Sequence, residues 1–530
     1  MKVRLVNAHA RPFDNVVAAA RSCYSQRAVT AEMAAGEHLE DPVKQQRTRK
    51  GRERIARSIF EAGHHTTYQH AYFQFIIEGV SRLTLWSFLH SHQFYNSEQV
   101  SQRYVTVDRN SIYVPPALKG RNRSHFCAAV EALHSAYQKL TALLEPVAQD
   151  EILRTFPTLK RPAHAKRLET KKRRRAQEVA RYVLPLATTA HLHHTVSALT
   201  LLRYRRACAH PDVPDELRKL ADALIDALLA VDPSFAAVLE DPIPVLPAAS
   251  WLAAHSAGMG ETAAYRQEFD RNLGPLSSRL LHGGSQARGR VAAAVRAVTG
   301  RPLSALSDDE AVRLVLDPQR NPLLAETLNL GTLDPLSRAL HQATFTFATK
   351  ISHTADSQNQ RHRMVPGARP VLSATVDEEP DFITPTLIRE NTELCSLFEA
   401  EMHRAWEAAS WLRRHGPDPT LALYLLPNAV AVRLIETADL LHLHHKMRMR
   451  LCWNAQDEIR RAAWEQAMQI ADVDPLIGSF LAPPCTVRKA AGRTPYCPEG
   501  DRFCGVPVWK LSLGEQRPPG SSRSADIGSR

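Results

Sequence analysis

The sequence predicts an α+β fold in which one structural unit occurs twice. Phe73-Gln-Phe-Ile-Ile77 and Phe345-Thr-Phe347 both have the apolar pattern of a partly buried strand, and a similar order of elements follows each of them. The length of 530 residues is several times the roughly 150 residues of one domain. A duplicated unit is the simplest explanation of both observations.

The elements follow in order along each half. In the first half a polar, histidine-containing turn and Ser101-Gln-Arg-Tyr104 come after the strand, then a basic loop, then Ala180-Arg-Tyr-Val-Leu-Pro185, from which we expect a helix to continue. In the second half Arg361-His-Arg363 comes after the strand, then Leu425-Leu-Pro427, then a predicted helix that runs to Arg450 and beyond.

Composition shifts divide the chain into four regions. Asp241–Pro247 holds three prolines in seven residues, which favours an extended linker, and the Ala/Arg-rich stretch 248–310 predicts helices joined by loops. The tail from Gln516 has little to bury and is predicted to be disordered. We therefore expect a first unit at 1–240, a linker and helical insert at 241–310, a second unit at 311–482 and a C-terminal extension at 483–530.

The composition excludes several classes of protein. Hydrophobic residues make up 44% and charged residues 23%, as in ordinary globular proteins. No apolar run approaches the roughly 20 residues that span a bilayer, and the N-terminal residues lack the apolar core of a secretory signal. The eight cysteines contain no CxxC pair and do not suggest a disulfide framework. We expect a soluble, cytoplasmic protein without a membrane partner.

The net charge of +12 is concentrated in one stretch. Residues 160–181 carry ten Lys or Arg against two Glu, which is +8 of the excess. Such a run is compatible with a nucleic-acid patch, an approach path for phosphorylated ligands or a solvated loop-to-helix surface. The solvated surface is the commonest of the three, so we do not expect nucleic acid as a partner.

Three polar clusters are candidates for chemistry. Arg361-His362-Arg363 suits a phosphate or the anionic edge of a flavin, although for the triplet in isolation an exposed basic turn is the favoured interpretation. The stretch 63–70, GHHTTYQH, is either a ligand-facing turn that enters a strand or a helix N-terminus capped by a threonine. Ser101, Gln102 and Arg103 offer a hydroxyl, an amide and a guanidinium for a phosphate, or form a plain polar turn.

These residues together resemble the flavin-dependent thymidylate synthase family (ThyX). The matching stretches are GHHTTYQHAYFQFIIEGVSR at 63–82, SQRYV at 101–105, the ARxxLP motif at 180–185, the RHR motif at 361–363 with Gln358, and positions around Leu426, Thr437, Arg450 and Gln456. The resemblance implies a tandem member of the family, with two diverged copies of a small antiparallel sheet flanked by helices. It also implies a dimer of tandem chains where the family forms a tetramer.

The motifs are divided between the halves. At the RHR position the first half has His90-Ser91-His92 when counted from residues 79–82, or Ser91-His92-Gln93 when counted back from Ser101, so both arginines are lost. It keeps Ser101, Arg103 and Arg181. The second half keeps RHR and Arg450 but has Val371 and Leu423 where the family has a serine and the ARxxLP arginine. The family's Asn-x-Arg motif is lost in both halves, at Ser197 and at Asp439. Complementary retention of this kind favours one working site built from both halves over a lapsed enzyme.

The resemblance implies a methyltransferase that converts dUMP to dTMP, with FAD as cofactor and methylenetetrahydrofolate and NADPH as co-substrates. It implies catalytic roles for Arg450 and Ser101. The implied substrate contacts are Gln358, Ser101, Gln102, Arg103, Arg181 and Arg450, and the implied flavin contacts are His70, His92, Arg361, His362 and Arg363. A catalytically lapsed flavin or nucleotide binder and a basic nucleic-acid-binding protein stay as alternatives.

We predict no metal site. The two HLHH stretches, 191–194 and 442–445, place a histidine pair three residues apart, and a helix would bring such a pair onto one face. Without a third ligand, surface or packing histidines are the favoured interpretation. Cys485, Cys497 and Cys504 have spacings unlike the common zinc knuckle, so buried free thiols are favoured there, with zinc left open.

Overall fold

A computed structural model describes residues 1–254, 259–284 and 286–521. The β-strands are β1 (Lys2–Ala8), β2 (Tyr72–Ser81), β3 (Asn96–Gln99), β4 (Thr189–Ser197), β5 (Ser278–His282), β6 (Thr344–Ser352), β7 (Gly367–Ala368) and β8 (Ala431–Asp439). The α-helices are α1 (Pro12–Ser22), α2 (Ala31–Ala35), α3 (Pro42–Glu61), α4 (Arg82–His90), α5 (Gly120–Thr155), α6 (Ala165–Ala180), α7 (Ala198–Arg206), α8 (Pro214–Val231), α9 (Pro247–Ala254), α10 (Met259–Leu273), α11 (Ala287–Thr299), α12 (Asp308–Leu316), α13 (His353–Asn359), α14 (Leu372–Thr375), α15 (Thr386–Arg389), α16 (Thr392–His415), α17 (Leu440–Arg450), α18 (Asp457–Val473), α19 (Pro475–Ser479) and α20 (Pro484–Ala490). In this part of the chain no helix has both the length and the apolar character needed to cross a bilayer.

The strands of the described residues form two four-stranded antiparallel sheets with one topology. The first sheet has the order β1-β2-β4-β3 and the second β5-β6-β8-β7. Each central pair ends alike, because Ser81 pairs with Thr189 and Ser352 pairs with Ala431. The predicted α+β class and the strands at Phe73 and Phe345 are thereby confirmed.

A β-bulge distinguishes the two central pairs. In β2 the register with β4 shifts between Glu78 and Val80, where Gly79 has φ 73°, whereas β6 pairs with β8 without a shift. A positive φ is a conformation that glycine adopts readily, and an extra residue at that point forms a bulge. The equivalent positions of the two sheets are therefore offset by one additional residue across the bulge.

The stretches directly after the two Leu-Pro pairs are strands, so the predicted helices begin later than expected, at α7 in the first half and at α17 in the second. β4 and β8 occupy these positions, and in β4 burial alternates along the chain as a half-buried strand requires. The first HLHH stretch, 191–194, lies in β4, so its histidines do not share a helix face. Only the second HLHH stretch, 442–445, lies on a helix, α17.

The second sheet begins earlier than the sequence predicted. β5, its edge strand, lies inside the region 241–310 that we expected to be helical, and it pairs with β6. Among the described residues of the tail, Gln516 and Ser521 are only 3% and 6% exposed, so the stretch up to Ser521 is packed and not disordered as predicted. The rest of the predicted disordered tail, 522–530, lies outside the described residues.

The described residues divide into two compact units, and each unit is discontinuous in sequence. Unit 1 comprises residues 1–132, 185–254 and 407–426, and unit 2 comprises 133–184, 259–406 and 427–521. The arm 133–184, which carries the ARxxLP arginine of the first half, thus belongs with the second sheet. The arm 407–426 of the second half belongs with the first sheet. This exchange differs from the four consecutive regions that we predicted.

Each unit has its own apolar core beside its sheet. In unit 1 the inward face of β2 buries Phe73 and Phe75, and Phe73 meets Phe235, which also packs edge-on against Phe13 of α1. In unit 2 the rings of Phe345 and Phe347 on β6 join a cluster with α11, α12, α17 and α18. Burial of such apolar faces is the main stabilising term for small sheets flanked by helices.

Candidate functional site

The RHR motif lies in unit 2 on the connection between α13 and β7. Ser352 ends β6 and caps α13, because its Oγ accepts a hydrogen bond from Ala355 N at 3.1 Å. After the short helix the chain returns to the sheet at β7, and Arg369 makes a bidentate pair with Asp356 at 2.7 and 2.9 Å. Asp356 is fully buried, so this pair fixes the loop that presents residues 361–363.

Arg450, the last residue of α17, is held against this loop. Its Nε donates to His362 Nε2 at 2.8 Å and its Nη2 donates to the backbone oxygen of Gln358 at 2.7 Å. Burial, together with the positive charges of Arg450 and Lys446, places the pKa of His362 well below its usual range. The neutral imidazole is therefore the acceptor that orients the Arg450 guanidinium.

A chain of side-chain hydrogen bonds continues from Gln358. The Gln358 amide donates to Gln456, the Gln456 amide donates to the Tyr182 hydroxyl, and that hydroxyl donates to Glu458. Glu458 also accepts from the backbone N and the Oγ of Ser352, at 2.5 and 2.7 Å. Donors and acceptors alternate correctly along the chain, so the relay has one consistent direction.

Arg181 and Tyr182 come from the first half of the sequence but belong to unit 2. The segment docks through its backbone, since Asn428 Nδ2 donates to Arg181 O at 2.9 Å and Ala429 N donates to Tyr182 O at 2.9 Å. Both side chains are buried, at 4% and 2% exposure. Burial and the neighbouring Glu458 carboxylate raise the pKa of Tyr182 well above its usual value, so its hydroxyl stays protonated.

A small, partly open cleft lies beside this relay within unit 2. Tyr182, Gln456 and Glu458 line it together with residues 383–387 and the guanidinium-bearing side chains of Arg175 and Arg461. Arg175 binds Glu151 at 2.8 Å and Glu178 at 2.9 Å and also pairs with Asp457. The cleft is consequently polar and lined by charges of both signs, because Glu178, Asp457 and Glu458 face the two arginines, and it also includes Thr384 and Thr386.

Unit 1 carries the other predicted site residues. Ser101, Gln102 and Arg103 form a turn directly after β3, in which Ser101 Oγ accepts from Arg103 N at 3.3 Å and Gln102 is buried. Arg82 holds the approach to this turn by donating to Gln99 Oε1 and to Val100 O, both at 2.8 Å. The turn is therefore anchored, with the Arg103 guanidinium above the ring of Tyr104.

The two predicted histidines of unit 1 differ in setting. His70 ends a 3₁₀ helix (His65–His70) that leads into β2 and is exposed, as a turn entering a strand requires. His92 uses both ring nitrogens, because Nε2 bonds the Tyr204 hydroxyl at 2.7 Å and Nδ1 accepts from Phe94 N at 3.0 Å. His92 thus belongs to an aromatic cluster with Tyr95 and Tyr204.

The predicted residues fall into two groups. Unit 2 contains Gln358, Arg361, His362, Arg363, Arg450 and Arg181; unit 1 contains Ser101, Gln102, Arg103, His70 and His92. Direct hydrogen bonds join Arg450, His362 and Gln358. Sequence reasoning gave no role to Tyr182 or Glu458, although a tyrosine three residues before the proline recurs at Tyr424 and was a usable signal.

The basic stretch and the C-terminal cysteines also have defined settings. The basic stretch leads into α6. There Arg175 forms ion pairs with carboxylates, and Lys171 lies 4.7 Å from the ring centroid of Phe156. Cys485 and Cys504 are free thiols buried in an apolar cluster with Val508, and burial raises the pKa of both. Among the described residues, the cysteines do not form a group of three ligand atoms at metal-binding distances.

Comparisons with known proteins identify the family. The sequence profile of the family described as "Thymidylate synthase complementing protein" matches residues 4–234 and 279–476. The flavin-dependent thymidylate synthase of Clostridium tetani is 30% identical over 236 residues, which cover 44% of this chain and 84% of that protein. The enzyme of the same name from Mycobacterium sp. strain JLS is 33% identical over 189 residues, or 35% of this chain and 68% of that protein.

A solved structure of the Helicobacter pylori flavin-dependent thymidylate synthase, complexed with FAD and dUMP, also matches. It is 19% identical, with a TM-score of 0.29, and the match covers 45% of this chain and 98% of that one. The profile match spans most of the sequence in two separate segments. The chain therefore belongs to the thymidylate synthase complementing protein family, the flavin-dependent thymidylate synthases, and carries two segments of that family in tandem.

Proposed function

We propose that this protein is a flavin-dependent thymidylate synthase that methylates dUMP to dTMP, with methylenetetrahydrofolate as carbon donor and NADPH as reductant. The observation that carries the proposal is the oriented Arg450 guanidinium, fixed by His362 and Gln358 beside the RHR loop. Family membership supports the reaction class, and the arrangement of unit 2 supports a retained site.

Arg450 suits the electrostatic demand of the reaction. C5 of uracil becomes nucleophilic when negative charge that develops on the pyrimidine is stabilised, and a guanidinium stays charged throughout the accessible pH range. Because His362 is neutral and accepts from Nε, the guanidinium is held in place without losing its charge. Arg450 is thus assigned to the pyrimidine, and Gln358, which contacts it, to the same substrate.

The ARxxLP arginine supports a composite site. The second half has Leu423 at this position, but within unit 2 the motif is supplied by Arg181 of the first half. The arginine lost from one half is therefore present in the unit that keeps RHR and Arg450. A phosphate or pyrimidine contact for Arg181 follows from the proposal, as do nucleotide contacts for Ser101, Gln102 and Arg103 in unit 1.

The residues of the RHR loop fit a flavin. Arg361 and Arg363 are exposed on either side of the half-buried His362, and arginine is a favoured partner of phosphates and of anionic ring edges. These three residues would hold the cofactor, which supplies hydride chemistry when bound. His70 is exposed and suits a further contact, whereas His92 has both ring nitrogens in use.

The test is a direct assay of the purified protein. We expect a flavin absorption spectrum and conversion of dUMP to dTMP that depends on methylenetetrahydrofolate and NADPH. UMP serves as the matched alternative substrate, since it differs only at the 2′ position. Flavin binding with turnover of UMP and not dUMP would replace the proposed substrate, and a colourless, inactive protein would contradict the proposal.

Two variants test whether both halves contribute. Arg361→Ala and Ser101→Ala should each abolish activity if turnover needs residues from both halves of the sequence. Full activity in either variant would contradict the composite site. Light scattering tests the assembly, for which the proposal expects a dimer of tandem chains in place of a tetramer.

A flavin or nucleotide binder without turnover is the second candidate. The observation that favours it is the loss of RHR, and of any counterpart of Arg450, from unit 1, where Cys208 stands at the corresponding position. Bound FAD and dUMP without product would support this candidate. Steep salt dependence of DNA or RNA binding would instead support a nucleic-acid role, which the internal ion pairs of Arg175 disfavour.

A further inference from the structure

Three side chains outside the RHR loop converge in unit 2. His442 Nδ1 lies 2.7 Å and His341 Nδ1 lies 3.1 Å from the same carboxylate oxygen, Oδ2 of Asp439. All three candidate ligand atoms lie within 4.8 Å of one another. The side chains are 32%, 21% and 13% exposed for His341, Asp439 and His442, so the cluster is half-buried and still open to an ion from solvent.

Rigid elements hold these donors. Asp439 ends β8 and caps α17, because its Oδ1 accepts from His442 N at 3.0 Å. His341 lies on a 3₁₀ helix (Ser337–Gln342) that is anchored by buried Ser337, which binds Asp334 and Asn321. Donors fixed on separate, well-anchored elements meet the requirement of a preorganised ligand set.

Unit 1 shows that helix capping alone does not need this set. The corresponding junction joins β4 to α7, where Ser197 caps the helix by accepting from Thr200 N at 3.3 Å. Gln69 of unit 1 matches His341. Ala198 N donates to Ala71 O as Leu440 N donates to Ala343 O, and Gln69 and His341 each lie two residues before the acceptor. Unit 1 thus builds the same junction from a serine, a threonine and a glutamine, without any metal-ligating side chain at these positions.

We propose that His341, Asp439 and His442 bind a divalent transition-metal ion, with Zn²⁺ as the expected occupant. Two imidazoles and one carboxylate form a ligand set typical of such ions, whereas Mg²⁺ and Ca²⁺ prefer oxygen donors alone. In a tetrahedral Zn²⁺ site the donors would be roughly 3.3 Å apart. The two histidine–carboxylate pairs, now at 2.7 and 3.1 Å, would therefore open by only about 0.6 and 0.2 Å. The fourth position is left to water.

The test compares the wild type with a variant that carries the residues of unit 1. His341→Gln, Asp439→Ser and His442→Thr together keep polar side chains and a helix cap at each position. After dialysis against Zn²⁺, wild-type protein should hold one more equivalent of tightly bound zinc than this triple variant, measured by mass spectrometry of the metal. Calorimetry should show the affinity at this site reduced at least about 100-fold in the variant.

A matched control is His403→Gln, which removes an exposed histidine of α16 and should leave zinc binding unchanged. Substitution with Co²⁺ separates this site from the free cysteines, because thiolate ligands produce a sulfur-to-metal charge-transfer band and His/Asp ligands do not. The proposal predicts a Co²⁺ spectrum without that band, lost in the triple variant. Equal melting temperatures in EDTA would show that the triple variant is folded. Equal zinc content in the two proteins would then overturn the proposal, as would a thiolate band that survives the substitutions.

Discussion

The two units share one hydrogen-bond arrangement at the end of the central strand, in which a buried glutamate accepts from a serine and a tyrosine. In unit 1 Glu216 accepts hydrogen bonds from Ser81 N at 2.8 Å, Ser81 Oγ at 2.6 Å and the Tyr424 hydroxyl at 2.8 Å. In unit 2 Glu458 accepts the equivalent bonds from Ser352 and from the hydroxyl of Tyr182. In each unit the tyrosine comes from the arm that the other half of the sequence contributes.

What lies beyond this arrangement differs. In unit 2 side-chain hydrogen bonds continue from Tyr182 through Gln456 to the Gln358 amide, and the backbone oxygen of Gln358 accepts from Arg450. Counted from the shared serine and glutamate, unit 1 has Ser87, Pro214 and Cys208 at the three positions of Gln358, Gln456 and Arg450. Pro214 and Cys208 lack the amide and guanidinium donors of Gln456 and Arg450, and Ser87 has a shorter side chain than Gln358.

The comparison separates scaffold from chemistry. Both units keep the serine, the glutamate and the tyrosine, because a buried carboxylate needs its donors and its loss would cost stability in either unit. Only unit 2 keeps the residues that orient the Arg450 guanidinium, namely His362 and Gln358. A stability role is therefore shared, whereas the orientation of a cation by hydrogen bonds belongs to unit 2.

The largest expected effect comes from the cation itself. Arg450→Ala should lower kcat for dUMP methylation by about 10²–10³-fold, as does removal of a group that stabilises developing negative charge. The matched change in unit 1, Cys208→Ala, should leave kcat within about twofold. Steady-state kinetics of the two purified variants provide the measurement, and equal losses in both would remove the distinction between the units.

Next in size is the shared carboxylate. Glu216→Gln and Glu458→Gln should each lower the free energy of unfolding by about 2–4 kcal/mol, because a charge-assisted acceptor of several buried donors becomes a neutral amide with an NH₂ group among those donors. Thermal and denaturant melts check this. If only one of the two variants is destabilised, the two carboxylates do not contribute equally to the stability of their units.

The paired tyrosines should separate stability from activity. Tyr182→Phe and Tyr424→Phe each remove one buried hydroxyl and should destabilise the protein similarly, by about 1–1.5 kcal/mol. Only Tyr182→Phe interrupts the path to Arg450, so only that variant should lower kcat, by about tenfold. If the two variants lost unequal amounts of stability but kept equal kcat, Tyr182 would have no role in activity and the assignment would be wrong.

The sequence was informative where local pattern decides the structure. The strands at Phe73 and Phe345 were predictable, because alternating apolar residues report one buried face. The exchange of the arms 133–184 and 407–426 was not, since it depends on which sheet a distant helix packs against. The same limit hid Tyr182 and Glu458, whose contact joins positions 276 residues apart.

Acid should destabilise unit 2 through a histidine that unit 1 lacks. His444 is 2% exposed, and burial with nearby Arg448 lowers its pKa to about 3, far below the value of about 6.5 in an unfolded chain. The unfolded state then binds more protons below pH about 6.5, so the stability of the folded state is complete above that pH and falls by about 1.4 kcal/mol per pH unit below it. His444→Leu installs the residue that unit 1 has at the matching position, Leu202, and should flatten the decline of melting temperature between pH about 6.5 and 4. The exposed His403→Leu serves as control and should leave the decline unchanged. An unaltered slope in His444→Leu would show that His444 does not contribute to the loss of stability in acid.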